Sequence, residues 1–297
     1  MTPPISVATA AVAALALSAV DLAGQPDRPR PDQQVILITG ATSGLGREVA
    51  IRLAAGGAHV IVHGRDSARA AEVVTEIAST GKGSARFYTA DFASNAEVRR
   101  FAEAVLRDYP RLNVLVNNAG VALNPPDRSP TEQGVEYRMQ VNYLSGVLLT
   151  RLLLPRLLAS TPARIVNVSS LSASPIDFAD VQMTKNFSPM RAYGQSKLAQ
   201  VMFTFDLAAE LAGKGITVNA LHPATLMPTK MVKEAGLPVR STIDDGAKAL
   251  LRLILDPNVG HGGFFDSMNP AKAHAQAYDP EARAKLKKLS DELIARF

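Results

Sequence analysis

Tyr193 and Lys197 stand four residues apart at the start of a helical pattern that runs over residues 192–213. At that spacing two side chains share one helix face. A lysine ammonium beside a phenol favours the phenolate and lowers its pKa, which makes the pair a usable proton donor or acceptor near neutral pH. Chance also places such pairs on surfaces, so the pair gains meaning only from its company. Ser169 and Ser170 close one apolar strand pattern, and Asn117-Asn118-Ala119-Gly120 closes another. Ahead of both lies Val35-Ile-Leu-Ile-Thr39-Gly40-Ala41-Thr42-Ser43-Gly44-Leu45-Gly46-Arg47. Together these residues suit a proton transfer carried out beside a bound nucleotide.

The last of those stretches is the phosphate end of the argument. A buried strand, a glycine turn and a helix follow one another. The glycines let the backbone turn sharply and approach a pyrophosphate, and the helix N-terminus offers free N–H groups and the positive end of a dipole. A glycine-rich loop alone is weak evidence; the strand before it and the helix after it make nucleotide binding the better reading.

These groups need a scaffold that gathers strand ends. Strand patterns fall at 35–39, 59–63, 85–89, 113–117, 164–169, 216–221 and 263–266, and helical patterns at 46–56, 67–80, 95–109, 131–160, 192–213, 243–255 and 280–296. Apolar strands alternating with helices predict an α/β fold, a single doubly wound parallel sheet with helices on both faces. Ligands then lie at the carboxyl ends of the strands. After the second strand comes Gly64-Arg65, where an acidic residue would otherwise hold a ribose hydroxyl; Arg65 instead suits a 2′-phosphate, which favours NADP(H) over NAD(H). Asp91 and Phe92 follow the third strand and meet the adenine edge, or else Asp91 caps the next helix. The small Ala119 and Gly120, after Asn118, admit a flat ring or its ribose.

The bulk composition excludes several classes. The chain has 297 residues, 47% of them apolar, with a net charge of +5. No basic run exceeds two residues and tryptophan is absent, so no nucleic-acid surface is expected. With no cysteine there is no disulfide, thiolate chemistry or cysteine metal site, and the five histidines show no ligand spacing, so no metal is expected. Residues 1–34 read as an N-terminal apolar arm and proline-rich linker, and 35–297 as one dinucleotide-binding catalytic domain. Ile5 to Val20 carries no charge. It is short for a membrane span, which takes about 20 apolar residues, and no Lys or Arg precedes it as in a signal peptide. The expected place is the cytoplasm, with membrane contact through residues 5–20 as the alternative to a free arm.

With these motifs in order, the sequence resembles the short-chain dehydrogenase/reductase family over residues 35–266. Thr39-Gly40-Ala-Thr-Ser-Gly44-Leu-Gly46, Asn117-Asn118-Ala119-Gly120, Asn142, Ser170 and Tyr193-x-x-x-Lys197 carry the resemblance. Ile176-Asp-Phe-Ala-Asp and Arg191-Ala-Tyr-Gly-Gln-Ser-Lys-Leu-Ala are similar to its retinol-dehydrogenase-like branch, as is the 22-residue interval between Ser170 and Tyr193.

The resemblance implies a hydride transfer between nicotinamide and a carbonyl or alcohol carbon of a lipophilic small molecule. Tyr193 is then the acid or base, Ser170 the partner of the substrate oxygen, Lys197 the ribose ligand that tunes the tyrosine, and Asn142 the holder of a relay water. Gly40, Thr42, Ser43, Gly44, Leu45 and Gly46 would line the cofactor. Pro223, Thr225 and Thr229 follow the sixth strand, where the family's glycine after the proline is Ala224 here and the threonine comes one place late. Either threonine then faces the carboxamide, and 226–241, with Met227, Met231 and Leu237, forms a substrate lid or packs on the core. Surplus apolar residues on 131–160 and 192–213 predict a homodimer or homotetramer. The competing functions are an NADP-dependent epimerase or dehydratase and a nucleotide sensor without turnover.

Overall fold

The computed structural model describes residues 28–295. Eight strands form one sheet: β1 Val35–Ile38, β2 His59–Gly64, β3 Ser84–Thr89, β4 Val114–Asn117, β5 Ala163–Val168, β6 Ile216–His222, β7 Phe264–Asp266 and β8 Asn269–Ala271. Their order is β3-β2-β1-β4-β5-β6-β7-β8, parallel up to β7. The helices are α1 Gly44–Ala55, α2 Ser67–Ser79, α3 Asn95–Asp108, α4 Ser145–Leu158, α5 Pro189–Leu211, α6 Lys230–Glu234, α7 Ile243–Leu255 and α8 Pro280–Ala295. The short strand β8 pairs antiparallel with β7 and carries too little apolar pattern (Asn-Pro-Ala) to be seen beforehand.

The strands sort their side chains by alternation. Val35 and Leu37 point into a core shared with residues of α3, α4 and α5, while Ile36 and Ile38 point into one shared with α1, α2 and α7. Burial on both sides is why β1 reads as an unbroken apolar run.

The helix expected over 131–160 differs most. Thr131 to Val135 form a turn closed by Gly134 N–H on the Thr131 carbonyl (2.8 Å), with Gly134 at φ +75°. Helical backbone begins at Tyr137, and Met139–Leu144 is a π-helical turn that runs into α4. The surplus apolar side chains of this segment are used within the chain: Val147, Leu148, Leu149 and Leu153 are buried. Helix α8 lies on the adjoining α5 surface, burying Ala282, Leu286, Ser290 and Leu293. It is fixed by Tyr143 Oη to Ser290 Oγ (2.8 Å) and by Arg283 to Asp206 (3.0 Å). A subunit contact would therefore have to use surface that α8 leaves open.

The body of the domain also starts earlier than Val35. Gln33 donates from Nε2 to the Gly57 carbonyl (3.0 Å) and accepts from Ser84 Oγ (3.2 Å), and Arg30 reaches the Lys82 carbonyl (3.1 Å). Residues 5–20, and the expectations placed on them, lie outside the described residues. Among the described residues no helix is long and apolar enough to cross a membrane.

Candidate active site

The strand order reverses direction at β1 and β4, and the crevice at their carboxyl ends is where this kind of sheet takes ligands. Thr39 stitches the crevice shut at its base: its hydroxyl donates to the Val116 carbonyl (3.2 Å) and accepts from the N–H groups of Asn118 (2.9 Å) and Ala119 (3.0 Å). Asn118 answers with its amide, Nδ2 reaching the carbonyls of Thr39 (2.8 Å) and Gly40 (3.1 Å). Its side chain thus shapes the loop from behind.

Two glycines are required by backbone packed against them, and a third by a neighbouring side chain. A Cβ on Gly40, which sits at φ +66°, would fall 2.8 Å from Ala119 Cα, and one on Gly46 would fall 2.4 Å from the Gly40 carbonyl oxygen. On Gly64 it would meet Thr42 Cγ2 at 2.4 Å. Ser43 precedes α1 without making a side-chain cap, and the first turn, which includes Leu45, carries no acidic residue. The turn therefore keeps N–H groups for an anion, and the cradle fits a pyrophosphate.

Around it, Arg65 is exposed and donates from Nη1 to Tyr137 Oη (3.1 Å), with Asp91 Oδ2 3.9 Å away. Asp91 accepts from the Ala93 N–H (2.9 Å), and the residue capping α3 is Ser94, so the capping alternative for Asp91 falls. The Phe92 ring is buried and stacked on His63 at 4.3 Å, so its side chain belongs to the core and only its backbone could meet an adenine. His63 is itself a support of the glycine turn, a role that its lack of ligand spacing does not signal. It accepts the Gly40 N–H at Nδ1 (3.3 Å) and bonds the Ala90 carbonyl through Nε2 (3.1 Å). Those two bonds require one neutral tautomer.

Burial brings His63 from 6.5 down to about 4. Its folded-state pKa is depressed, so below 6.5 the unfolded chain takes up a proton that the fold refuses. Stability is then lost as pH falls from 6.5 to 4, by about 3 kcal/mol when complete. Urea unfolding from pH 7 to 4.5 should show a shallower loss for His63→Leu than for the unmutated chain. Equal slopes would disprove the assignment.

On the other wall, α5 presents Tyr193 and Lys197 beneath the end of β5. Lys197 Nζ lies 5.8 Å from the Tyr193 ring centre. The Ser170 hydroxyl stands near enough to the phenol to favour its ionised form, whereas Ser169 spends its hydroxyl on the Lys197 carbonyl (2.8 Å). Of the two serines, the structure brings Ser170 to the tyrosine.

Burial pushes the Tyr193 phenol up, with the Ser170 hydroxyl opposing it. This net upward direction corrects the lowering expected from a neighbouring ammonium, because a dry site disfavours the phenolate. Burial also brings Lys197 down to about 7.

The π turn places Asn142 opposite. Its Oδ1 accepts from Val121 N–H (2.7 Å), and its Nδ2 donates to the Val121 carbonyl (2.9 Å) and Ser196 Oγ (2.8 Å). A Cβ on Gly120 would stand 3.4 Å from both Asn142 Oδ1 and Lys197 Nζ, so the two groups face one small space that glycine keeps clear.

After β6 and Pro223, Thr225 is engaged with His222 Nε2 (3.0 Å), while Thr229 lies against the glycine loop, its Cγ2 3.1 Å from where a Cβ on Gly44 would be. Met227 is buried in the core cluster that holds Leu45 and lies against Gly246, as the core-packing alternative has it, and Met231 and Leu237 are half-buried.

Residues 34–238 match the family described as short chain dehydrogenase. The chain belongs to that family. Among relatives of this dehydrogenase, "Retinol dehydrogenase 12" of Homo sapiens is 35% identical over 275 residues, covering 88% of this chain and 86% of the relative. "Retinol dehydrogenase 14" of Mus musculus is 35% identical over 289 residues with the same coverage. Among solved structures, a "Pseudomonas aeruginosa RhlG/NADP active-site complex" superposes with TM-score 0.64 at 28% identity, covering 78% of this chain and 94% of that one. A short chain dehydrogenase from Salmonella enterica gives TM-score 0.65 at 29% identity, covering 82% and 99%. The retinol dehydrogenase relatives bear out the branch that the interval between Ser170 and Tyr193 suggested.

Proposed function

We propose that this member of the family transfers hydride between NADP(H) and the carbonyl or alcohol carbon of a lipophilic small molecule. The observation that carries the reading is the convergence of Ser170, Tyr193 and Lys197 on one side of the crevice and the glycine cradle on the other. A bound nicotinamide nucleotide supplies the hydride; the chain does the rest. Tyr193 gives its phenolic proton to the carbonyl oxygen in reduction and takes it back in oxidation. Ser170 hydrogen-bonds the same oxygen and holds it in line. Lys197 binds the ribose and steadies the phenolate by charge, and Asn142 holds a water that returns the proton to solvent. Leu171 and Met190, 51% and 48% exposed beside Ser170 and Tyr193, offer apolar surface for the substrate. With NADPH and a ladder of carbonyls from acetaldehyde through dodecanal to all-trans-retinal, kcat/KM should rise with apolar length. A flat or falling ladder would remove the lipophilic assignment.

The phosphate preference rests on Gly64 and Arg65. An acidic side chain at 64 has no room unless Thr42 moves, and Arg65 stands next to that position with its guanidinium in the open. Arg65→Ala should weaken NADPH by about 1.5–3 kcal/mol, the worth of a charge-assisted hydrogen bond, and NADH hardly at all. Fluorescence titration with both nucleotides decides it: equal affinities in the unmutated protein would end the argument.

A further inference from the structure

Lys197 is more tightly held than its proposed task requires. Its Nζ donates to the Val168 carbonyl (2.9 Å) and to Gln200 Oε1 (2.9 Å), so two of its three hydrogens are committed within the protein. Gln200 lies one turn further along α5 and is buried. Its own place is fixed by a polar chain: Thr204 Oγ1 donates to the Gln200 carbonyl (2.8 Å), Asn167 Nδ2 to Thr204 Oγ1 (2.8 Å), and Asn117 Nδ2 to Asn167 Oδ1 (2.8 Å). That chain ties α5 to β5 and β4 at the level of the lysine.

The surroundings of the ammonium are otherwise neutral. From β5 it meets the Val168 carbonyl, and from the β4 and π-turn side Asn142 across Gly120. From its own helix it meets Gln200 and Tyr193, and Tyr193 is the titratable group that faces it. A long, flexible lysine with no carboxylate to hold it has many rotamers, and an apolar site would favour its neutral form.

We propose that Gln200 is a positioning residue for Lys197, an uncharged acceptor that fixes the ammonium and leaves its third hydrogen and an uncancelled charge for the ribose and the phenol. This rests on the role given to Lys197 above. The neutrality of the amide is the point. A carboxylate at 200 would hold the lysine harder but cancel the charge that Tyr193 feels. An apolar side chain would let the lysine wander and lose its proton more readily.

The test uses the full-length protein and three variants, Gln200→Glu, Gln200→Met and Gln200→Asn, the last withdrawing the amide by one methylene. In Gln200→Glu the alkaline midpoint of alcohol oxidation should move up by about one pH unit, because the phenolate loses its uncancelled cation. In Gln200→Met and Gln200→Asn the dissociation constant for NADPH, read by nucleotide fluorescence without turnover, should rise roughly fivefold at neutral pH as the ribose loses an oriented donor. A residue that merely fills space would move neither reading. Folded variants with unaltered midpoint and affinity would overturn the proposal, as would failure of all three to fold, which would make Gln200 a packing residue. Tyr193→Phe serves as the control. If it were fully active the reading of the whole site would fall. If it were inactive beside unaltered Gln200 variants, only the role of Gln200 would.

Discussion

Tyr193→Phe should bind NADPH as the unmutated protein does and yet reduce carbonyls about 10²–10⁴-fold more slowly, roughly 3–5 kcal/mol of barrier. The substitution removes one hydroxyl from a half-buried ring, so packing survives; what disappears is the proton that the carbonyl oxygen needs as hydride arrives. Ser170, which neighbours that hydroxyl, would face an apolar edge instead. It could still hold the substrate oxygen, and residual activity would come from that contact. Single-turnover reduction at saturating NADPH separates the chemistry from binding. Near-normal rates in the variant would mean that the acid is another group. The pH profile gives a second reading. Burial pushes the phenol upward, so oxidation, which needs the ionised form, should climb toward alkaline pH while reduction stays level through neutrality.

Arg138→Met should destabilise the fold by about 3–5 kcal/mol, the cost of stranding one partner of a buried ion pair. Arg138 and Glu136 are 0% and 1% exposed and meet at 2.9 Å. The guanidinium also donates to the carbonyls of Ala122 (2.6 Å), Leu123 (3.1 Å) and Pro125, in the loop that leaves Gly120. Methionine fills the volume but supplies none of these donors, and it leaves the Glu136 carboxylate, among the described residues, with the Met139 N–H (2.9 Å) as its hydrogen-bond donor. Adding Glu136→Gln should return part of the loss, because the orphan is then uncharged. Urea unfolding of the single and double variants checks both statements. A single variant as stable as the parent would show that the pair contributes nothing.

The parts of the site that sequence made legible are those where chemistry fixes residue type at short spacing. The glycine turn, the small residues after β4 and the Tyr193–Lys197 pair are local, and steric need or helix geometry writes them directly into the chain. Ser170 was separable from Ser169 only by resemblance; nothing in two adjacent serines says which hydroxyl turns toward a tyrosine 23 positions away. His63, Gln200 and the Glu136–Arg138 pair escaped notice because their roles depend on partners brought in by the fold. A histidine or glutamine in an apolar pattern looks the same whether it supports a loop or merely fills a core. The π turn was invisible for a related reason: one extra residue in a helical turn barely disturbs the apolar spacing on either side. The limits of β1 and α7, by contrast, were nearly right, since an unbroken apolar run ending at Thr39-Gly40 and the Thr242 capping box mark their own ends.

The attachment of α8 gives the molecule a direction in time. Ser290 grips Tyr143, the neighbour of Asn142, across 147 positions of chain. Helix α8 follows every other described element, whereas β1, the glycine turn and β4 all lie in the first half of the sequence. A polypeptide emerging from the ribosome amino end first can therefore assemble its nucleotide cradle early, in a unit made of β1 to β4. The Ser290 contact on Tyr143, beside Asn142, must wait until the far end of the chain has been made. The glycine turn and its partners on β4 are made early, while Lys197 and the Ser290 contact come only with the second half of the chain.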